Sequence, residues 1–125
     1  MSMTMKDMIA EANAAVPRLP PAEVAAYCAQ GAVLVDVRDP HEVAGTGKIA
    51  GAVAVSRGML EFRACSSSPM WNPALRPDVV VLVYCASGGR SALAGRTLQA
   101  LGYGQVFNAG GFKELAESGL PIEPA

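Results

Sequence analysis

The stretch VVVLVYCASGGRSALAGRTLQAL, residues 79–101, contains the change of pattern that decides the fold class. Its first six residues, 79–84, are apolar and mostly valine, which predicts a strand buried on both faces. Residues 91–101 instead carry apolar side chains at helical spacing and stop before Gly102, which predicts a helix. A buried strand joined to a helix by a short loop is typical of α/β proteins with a parallel sheet.

The same alternation continues on both sides of this stretch. Apolar runs rich in β-branched residues predict further strands at 32–37, 52–56 and 105–108. Helical spacing and capping residues predict helices at 4–15, 21–30, 58–65 and 112–119. Thr4 and Asp7 form a predicted capping box for the first of these, and a short helix is predicted to begin at Asp39 with Glu42 in a second capping box. The Ser- and Pro-rich segment 66–77 is predicted to be a loop, and Gly110-Gly111 a turn.

Composition limits the classes of function. A chain of 125 residues with 51% hydrophobic residues is the size of one domain with a sizeable core. Its net charge of −1 provides no basic field, so neither a nucleic acid nor a membrane is expected as a partner. Residues 1–16 have no apolar run of the kind found in signal peptides. Three cysteines without Cys-x-x-Cys spacing fit a reducing compartment, so we expect a cytoplasmic protein.

Cys85 is the candidate catalytic residue, because it follows the strongest predicted strand at the edge of the sheet where functional loops lie. The loop that follows it consists of Ala86, Ser87, Gly88, Gly89 and Arg90. Main-chain amides in such a loop can form an anion-binding nest, and the positive end of the next helix adds to its field. Arg90 is expected to close this ring of donors around the sulfur, and together they are expected to lower the thiol pKa of Cys85. Ser91 is predicted to cap the following helix.

Three separated stretches, in this order, resemble the rhodanese family. VLVDVRDPHEVAGTGKIAGAVAV, residues 33–55, is similar to the family's Asp-x-Arg strand end, acidic helix and Gly-His-Ile-x-Gly-Ala motif. CASGGRSALA, residues 85–94, is similar to its active-site loop and the helix behind it. VFNAGGFKELAESGLPIEP, residues 106–124, is similar to its closing Gly-Gly turn, helix and Gly-x-Pro ending. The resemblance runs from about residue 17 to the last residue.

The resemblance implies an α/β fold with a five-stranded parallel sheet flanked by helices on both faces. In this chain an extra N-terminal helix would precede it, so we expect a helical extension at 1–16 and a rhodanese domain at 17–125. The resemblance also implies that Cys85 cycles between a free thiol and a persulfide. The amides of residues 86–90 would hold the transferred sulfur, and no metal or cofactor would be required.

The expected substrates and contacts follow from the same resemblance. The donor would be a small sulfur-containing anion such as thiosulfate, and the acceptor a thiophile such as cyanide or an acceptor protein. Ala86 to Ser91 would bind the donor. Asp36 and Arg38 would have a mainly structural role, with substrate contact as the alternative. Arg57 follows the strand predicted at 52–56, so it is a candidate substrate contact, with a solvated surface charge as the alternative.

Several other functions are compatible with parts of the pattern. A cysteine phosphatase or arsenate reductase also uses a thiolate in an amide-lined loop, but five residues separate Cys from Arg in the phosphatase signature and four do here. A non-catalytic rhodanese-like binding module would lack the cysteine. A persulfide carrier in a protein sulfur relay would share the chemistry of the enzyme, so the sequence does not separate these two.

Overall fold

A parallel sheet of four strands forms the centre of the computed structural model, which describes residues 2–125. The strands are β1 (Val33–Asp36), β2 (Lys48–Ile49), β3 (Val53–Ala54), β4 (Val81–Cys85), β5 (Val106–Gly111) and β6 (Ile122–Glu123). The helices are α1 (Met5–Ala15), α2 (Pro21–Ala29), α3 (Pro40–Thr46), α4 (Leu60–Ala64), α5 (Gly89–Ala100) and α6 (Phe112–Glu117). The central sheet has the order β3-β1-β4-β5, and β2 pairs with β6 in a small antiparallel ribbon.

Helices cover both faces of the central sheet, as the apolar strands predict. On β4, Val83 and Cys85 pack in a cluster with residues of α4 and α5, and Val16 at the end of α1 joins the same cluster. Leu82 and Tyr84 point to the other face, where residues of α2 and α6 cover them. Alternate residues of one strand therefore serve two cores, which is why the strand has no polar side.

The expectation of five strands was wrong, because the central sheet has four. The segment nearest to a fifth strand pairs with β5 through one bridge, between Arg18 and Asn108. Leu19 N donates to Asn108 O at 2.9 Å, and Asn108 N donates to Pro17 O at 2.8 Å. The neighbouring amides that would face β5 belong to Pro17 and Pro21, which have no amide hydrogen, so the ladder cannot continue on either side of this bridge.

Helix α1 packs against α5 at its C-terminal end. The predicted capping box is confirmed, since the Thr4 side chain accepts from Asp7 N and the Asp7 carboxylate accepts from Thr4 N. Ala12 and Val16 are buried, whereas the more N-terminal Met5 is 71% exposed. The extension is therefore attached to the domain through its last turns.

The predicted turn at Gly110-Gly111 is instead the end of β5. Gly110 pairs with Tyr84 and Gly111 pairs with Cys85, after a register shift in the ladder. A bulge at this point lets the strand continue beside β4 to the active-site loop. Among residues 2–125, no helix combines the length and the apolar character that crossing a membrane requires.

Candidate active site

Cys85 is the last residue of β4, one of the two inner strands of the central sheet. The chain then passes through Ala86, Ser87 and Gly88 and enters α5 at Gly89. The loop is therefore shorter than predicted, because Gly89 and Arg90 already belong to the first turn of the helix. This arrangement places the thiol at the carboxyl edge of the sheet and beside the N-terminus of a twelve-residue helix.

Gly88 turns the loop back over the sulfur atom. Its φ of +112° lies in the left-handed region, which a residue with a side chain rarely adopts. In this conformation Gly88 N donates a hydrogen bond to Cys85 Sγ at 3.0 Å. The glycine therefore supplies both the turn and a main-chain donor that points at the sulfur of Cys85.

The surroundings favour the ionised form of Cys85. Burial raises the pKa of the thiol, since Cys85 is 1% exposed and a buried charge is unfavourable. Hydrogen bonds from the Ser91 hydroxyl and from the amides of Ser91, Gly88 and Ser87 outweigh burial and hold this pKa below its ordinary value. The predicted direction of the shift is thus found in the structure, and main-chain amides supply much of it.

Ser91 is a side-chain partner of the cysteine and does not cap α5. The capping position is taken by Gly88, and Ser91 lies inside the first turn with its Oγ 3.5 Å from Cys85 Sγ. Ser91 Oγ also donates to Asn108 Oδ1 at 2.7 Å. The hydroxyl has a single proton, so Asn108 and the thiolate compete for it, whereas the Gly88 amide hydrogen is fixed toward the sulfur.

Asn108 is a structural support of the loop that the sequence analysis missed. It is fully buried, and its Nδ2 donates to Gly88 O at 3.0 Å. Its Oδ1 accepts from Ser91 Oγ at 2.7 Å and from Gly110 N at 2.9 Å. These three partners fix the orientation of the amide and connect β5 to both ends of the loop.

Arg90 does not close the ring of donors around the sulfur, in contrast to the expectation. Its Nη1 and Nη2 donate to Glu42 Oε1 and Oε2 at 2.6 and 2.9 Å. Hydrogen bonding to Arg90 lowers the pKa of Glu42 to about 2. The guanidinium therefore fastens α5 to α3, and it acts on the thiolate only through its charge at a distance.

Arg57 lies against α5 rather than over the loop. Its Nη2 donates to Thr97 Oγ1 at 2.9 Å and its Nη1 pairs with Glu61 at 3.1 Å. Thr97 is two helical turns from the loop, so this arrangement brings Arg57 to the side of the helix. A contact between Arg57 and a substrate at Cys85 would require a different rotamer.

Asp36 and Arg38 have the geometry of a structural pair. Arg38 Nη2 lies 2.7 Å from Asp36 Oδ2, and both side chains are at most 3% exposed. The guanidinium also lies 4.2 Å from the ring centre of Phe112. This ion pair joins the end of β1 to α6.

An open cavity of about 640 Å³ lies at the mouth of the loop. Ala86 and Ser87 line one side of it, together with Gly111, the strand partner of Cys85. Arg18 and Lys113 bring positive charge to the cavity, and Glu114 and Glu117 bring negative charge. Cys85 itself is nearly covered and does not line the cavity, but its chain neighbour Ala86 and its strand partner Gly111 do.

Comparisons with known proteins agree with these features. Residues 20–118 match the rhodanese-like domain family. A sulfurtransferase from Allochromatium vinosum is 36% identical over 91 residues, covering 72% of this chain and 77% of its own. The thiosulfate sulfurtransferase GlpE from Pseudomonas entomophila is 34% identical over 109 residues, covering 86% and 91%.

A solved structure also resembles the whole chain. It is a protein of unknown function from Rhodopseudomonas palustris, described as a possible tyrosine phosphatase. The two chains are 39% identical with a TM-score of 0.88, over 98% of this chain and 96% of that one. The similarity therefore includes the N-terminal helix.

Proposed function

This chain belongs to the family of rhodanese-like domains, and on that basis we propose that it is a sulfurtransferase with Cys85 as the nucleophile. The donor is a small anion such as thiosulfate, and the acceptor is a thiophile such as cyanide. One observation carries the proposal: Gly88 N donates to Cys85 Sγ at 3.0 Å at the carboxyl edge of the sheet. A thiolate held by fixed main-chain donors is suited to attack and to storage of a second sulfur.

The reaction consists of two displacements, as in ping-pong enzymes. The Cys85 thiolate attacks the outer sulfur of thiosulfate, the sulfur–sulfur bond of the donor breaks, and sulfite leaves with the bonding electrons. The enzyme is then a persulfide with its negative charge on the terminal sulfur. Cyanide attacks that sulfur, thiocyanate leaves, and the thiolate is regenerated. No proton or electron is left unbalanced, so no metal or organic cofactor is required.

The loop amides stabilise the charge in both states of the enzyme. The amides of Ser87, Gly88 and Ser91 already favour the thiolate. In the persulfide the charge moves outward by one bond, to the side of the loop where the cavity lies. Donors fixed by the backbone require no reorganisation during this movement, which is the usual basis of electrostatic stabilisation in active sites.

Access to the thiol is part of the proposal. Cys85 is 1% exposed, so the donor must enter from the cavity lined by Ala86, Ser87 and Gly111. We propose that a small displacement of Ser87 admits the outer sulfur.

The free thiols of all three cysteines fit a reducing compartment, and we propose that the reaction takes place in the cytoplasm.

Intact-mass measurement tests the proposed function. After incubation with thiosulfate, the protein is expected to gain one sulfur atom, which cyanide removes as thiocyanate. Cys85→Ser is expected to gain none, and Cys65→Ser is the matched control, since Cys65 lies in the loop after α4 and should leave the gain unchanged. Sulfur uptake by Cys85→Ser would contradict the assignment of the nucleophile.

Phosphatase activity is the second candidate, because a similar structure is described as a possible tyrosine phosphatase. The side chain of Arg90 argues against it, since both terminal nitrogens are bound to Glu42 and a phosphate would have to displace the carboxylate. Hydrolysis of p-nitrophenyl phosphate that depends on Cys85 would favour this alternative.

A sulfur carrier is a further alternative. It would be favoured by a persulfide that is transferred to a protein and not to cyanide.

A further inference from the structure

The cavity at the mouth of the loop has a charged side chain that the proposed mechanism does not use. Arg18 belongs to the segment that forms one bridge with β5, outside the stretches that resemble known active-site motifs. Its guanidinium lies against Gly88, the residue whose amide contacts the sulfur of Cys85. Arg18 therefore places a cation beside the point where a donor would reach the thiol.

The backbone of Arg18 is fixed in this position by strand-like pairing. Leu19 N donates to Asn108 O at 2.9 Å, and Asn108 N donates to Pro17 O at 2.8 Å. Hydrogen bonds on both sides of Arg18 leave its side chain directed across the loop. The backbone around Arg18 is thus held by the main chain of Asn108, whose side chain supports Gly88.

The side chain of Arg18 has donors to spare. Its Nη1 donates to Ser87 O at 3.3 Å, and its Nη2 lies 3.5 Å from Glu114 Oε1, both long contacts. Arg18 is 48% exposed and Glu114 is 49% exposed. Arg90, by contrast, makes two short bonds to one carboxylate. A guanidinium has five N–H groups, so Arg18 can bind an anion without breaking a strong pair.

We infer that Arg18 binds the charged end of the sulfur donor and selects donors of high negative charge, and that Glu114 weakens this selection by partly neutralising Arg18. The inference rests on the proposed function, because it requires the donor to approach Cys85 through this cavity. Arg18 is a substrate-binding residue in this scheme. It orients the leaving group while the main-chain amides act on the sulfur.

Two sulfur donors that react in the same way but carry different charges provide the test. Thiosulfate is a dianion, and methanethiosulfonate is a monoanion with the same outer sulfur on a similar tetrahedral group. Arg18→Gln is expected to raise KM for thiosulfate about tenfold and KM for methanethiosulfonate about threefold, with kcat nearly unchanged. Arg18→Lys should retain part of the preference, because it keeps the charge and loses the fork of donors.

The opposite change in KM is expected when Glu114, the ion-pair partner of Arg18, is replaced. Glu114→Gln should lower KM for thiosulfate about threefold, because Arg18 is no longer partly neutralised. In the Arg18→Gln background the same substitution should have little effect. Arg76→Gln is the matched control, since Arg76 pairs weakly with Asp78 before β4 and is similarly exposed. It should leave both KM values unchanged.

The possible outcomes distinguish a failure of this inference from a failure of the proposed function. If Arg18→Gln raises KM equally for both donors, or for neither, Arg18 does not select by charge and the inference is wrong, while sulfur transfer by Cys85 stands. An equal gain from Glu114→Gln with and without Arg18 would also overturn it. If the wild-type protein takes sulfur from neither donor, the proposed function itself fails.

Discussion

Replacement of Asn108 by aspartate is expected to make the stability of the protein depend on pH. The wild-type amide donates to Gly88 O at 3.0 Å and accepts from Ser91 Oγ at 2.7 Å and from Gly110 N at 2.9 Å. A protonated aspartic acid can reproduce all three bonds. An ionised carboxylate keeps the two that it accepts but sets an oxygen against the Gly88 carbonyl oxygen in a fully buried position.

The magnitude follows from the difference in pKa between the folded and unfolded states. Burial and the facing carbonyl raise the folded-state pKa of the new carboxyl, and the two accepted hydrogen bonds offset part of that rise. A net rise of about 2 to 3 units above the unfolded value of about 3.9 corresponds to about 3–4 kcal/mol. The folded state then binds the proton more tightly, so stability falls as pH rises through the interval between the two pKa values and is constant above it.

Urea unfolding followed by far-ultraviolet circular dichroism measures this effect. Relative to wild type, Asn108→Asp should lose about 3–4 kcal/mol of unfolding free energy at about pH 8, and about 2 kcal/mol less than that at about pH 5. Asn72→Asp is the matched control, because Asn72 Oδ1 accepts from Ala74 N at 3.0 Å in a partly exposed turn that a carboxylate can also serve. A deficit in Asn108→Asp that is the same at both pH values, or absent, would refute the reasoning.

Two further predictions concern packing and charge. Gly95→Ala should lower the unfolding free energy by about 1–3 kcal/mol in urea titrations, because its Cβ would lie 2.7 Å from Val16 Cγ1. Gly45→Ala, whose Cβ would meet nothing within 4 Å in α3, should cost nothing, and equal losses in both variants would contradict this account. Glu42→Gln should lower the pKa of the Cys85 thiol further, because the charge of Arg90 is no longer neutralised. The pH profile of iodoacetamide alkylation measures that pKa, and an upward shift would show that the arginine does not act through its charge.

The local patterns of the sequence correctly predicted most of the elements and the position of Cys85 at the end of a buried strand. The buried strand that precedes Cys85 and the helix that follows it were predicted from composition and spacing within residues 79–101, and both are present. The capping boxes at Thr4 and Asp39 were confirmed as well. These features depend on side chains a few positions apart, so the local sequence is enough to predict them.

The partners of the loop were not predictable in the same way. Arg90 was expected to face the sulfur, but it binds Glu42, which is 48 positions away in the chain. Ser91 was expected to cap α5, but Gly88 takes that position because its left-handed conformation ends the loop earlier. Which of several charged or polar groups an arginine meets depends on how the elements pack, and local sequence does not specify it.

By itself, then, the sequence determined the parallel α/β architecture, the cysteine at the end of an inner strand and the glycine-containing loop behind it. The tertiary structure alone decided that the sheet has four strands, that Asn108 holds the loop and that Arg18 reaches its mouth. Hydrophobic period and capping are set by residues within one or two turns of each other. The hydrogen bonds that join β5, α6 and the segment around Arg18 form only after folding has brought these distant parts of the chain together.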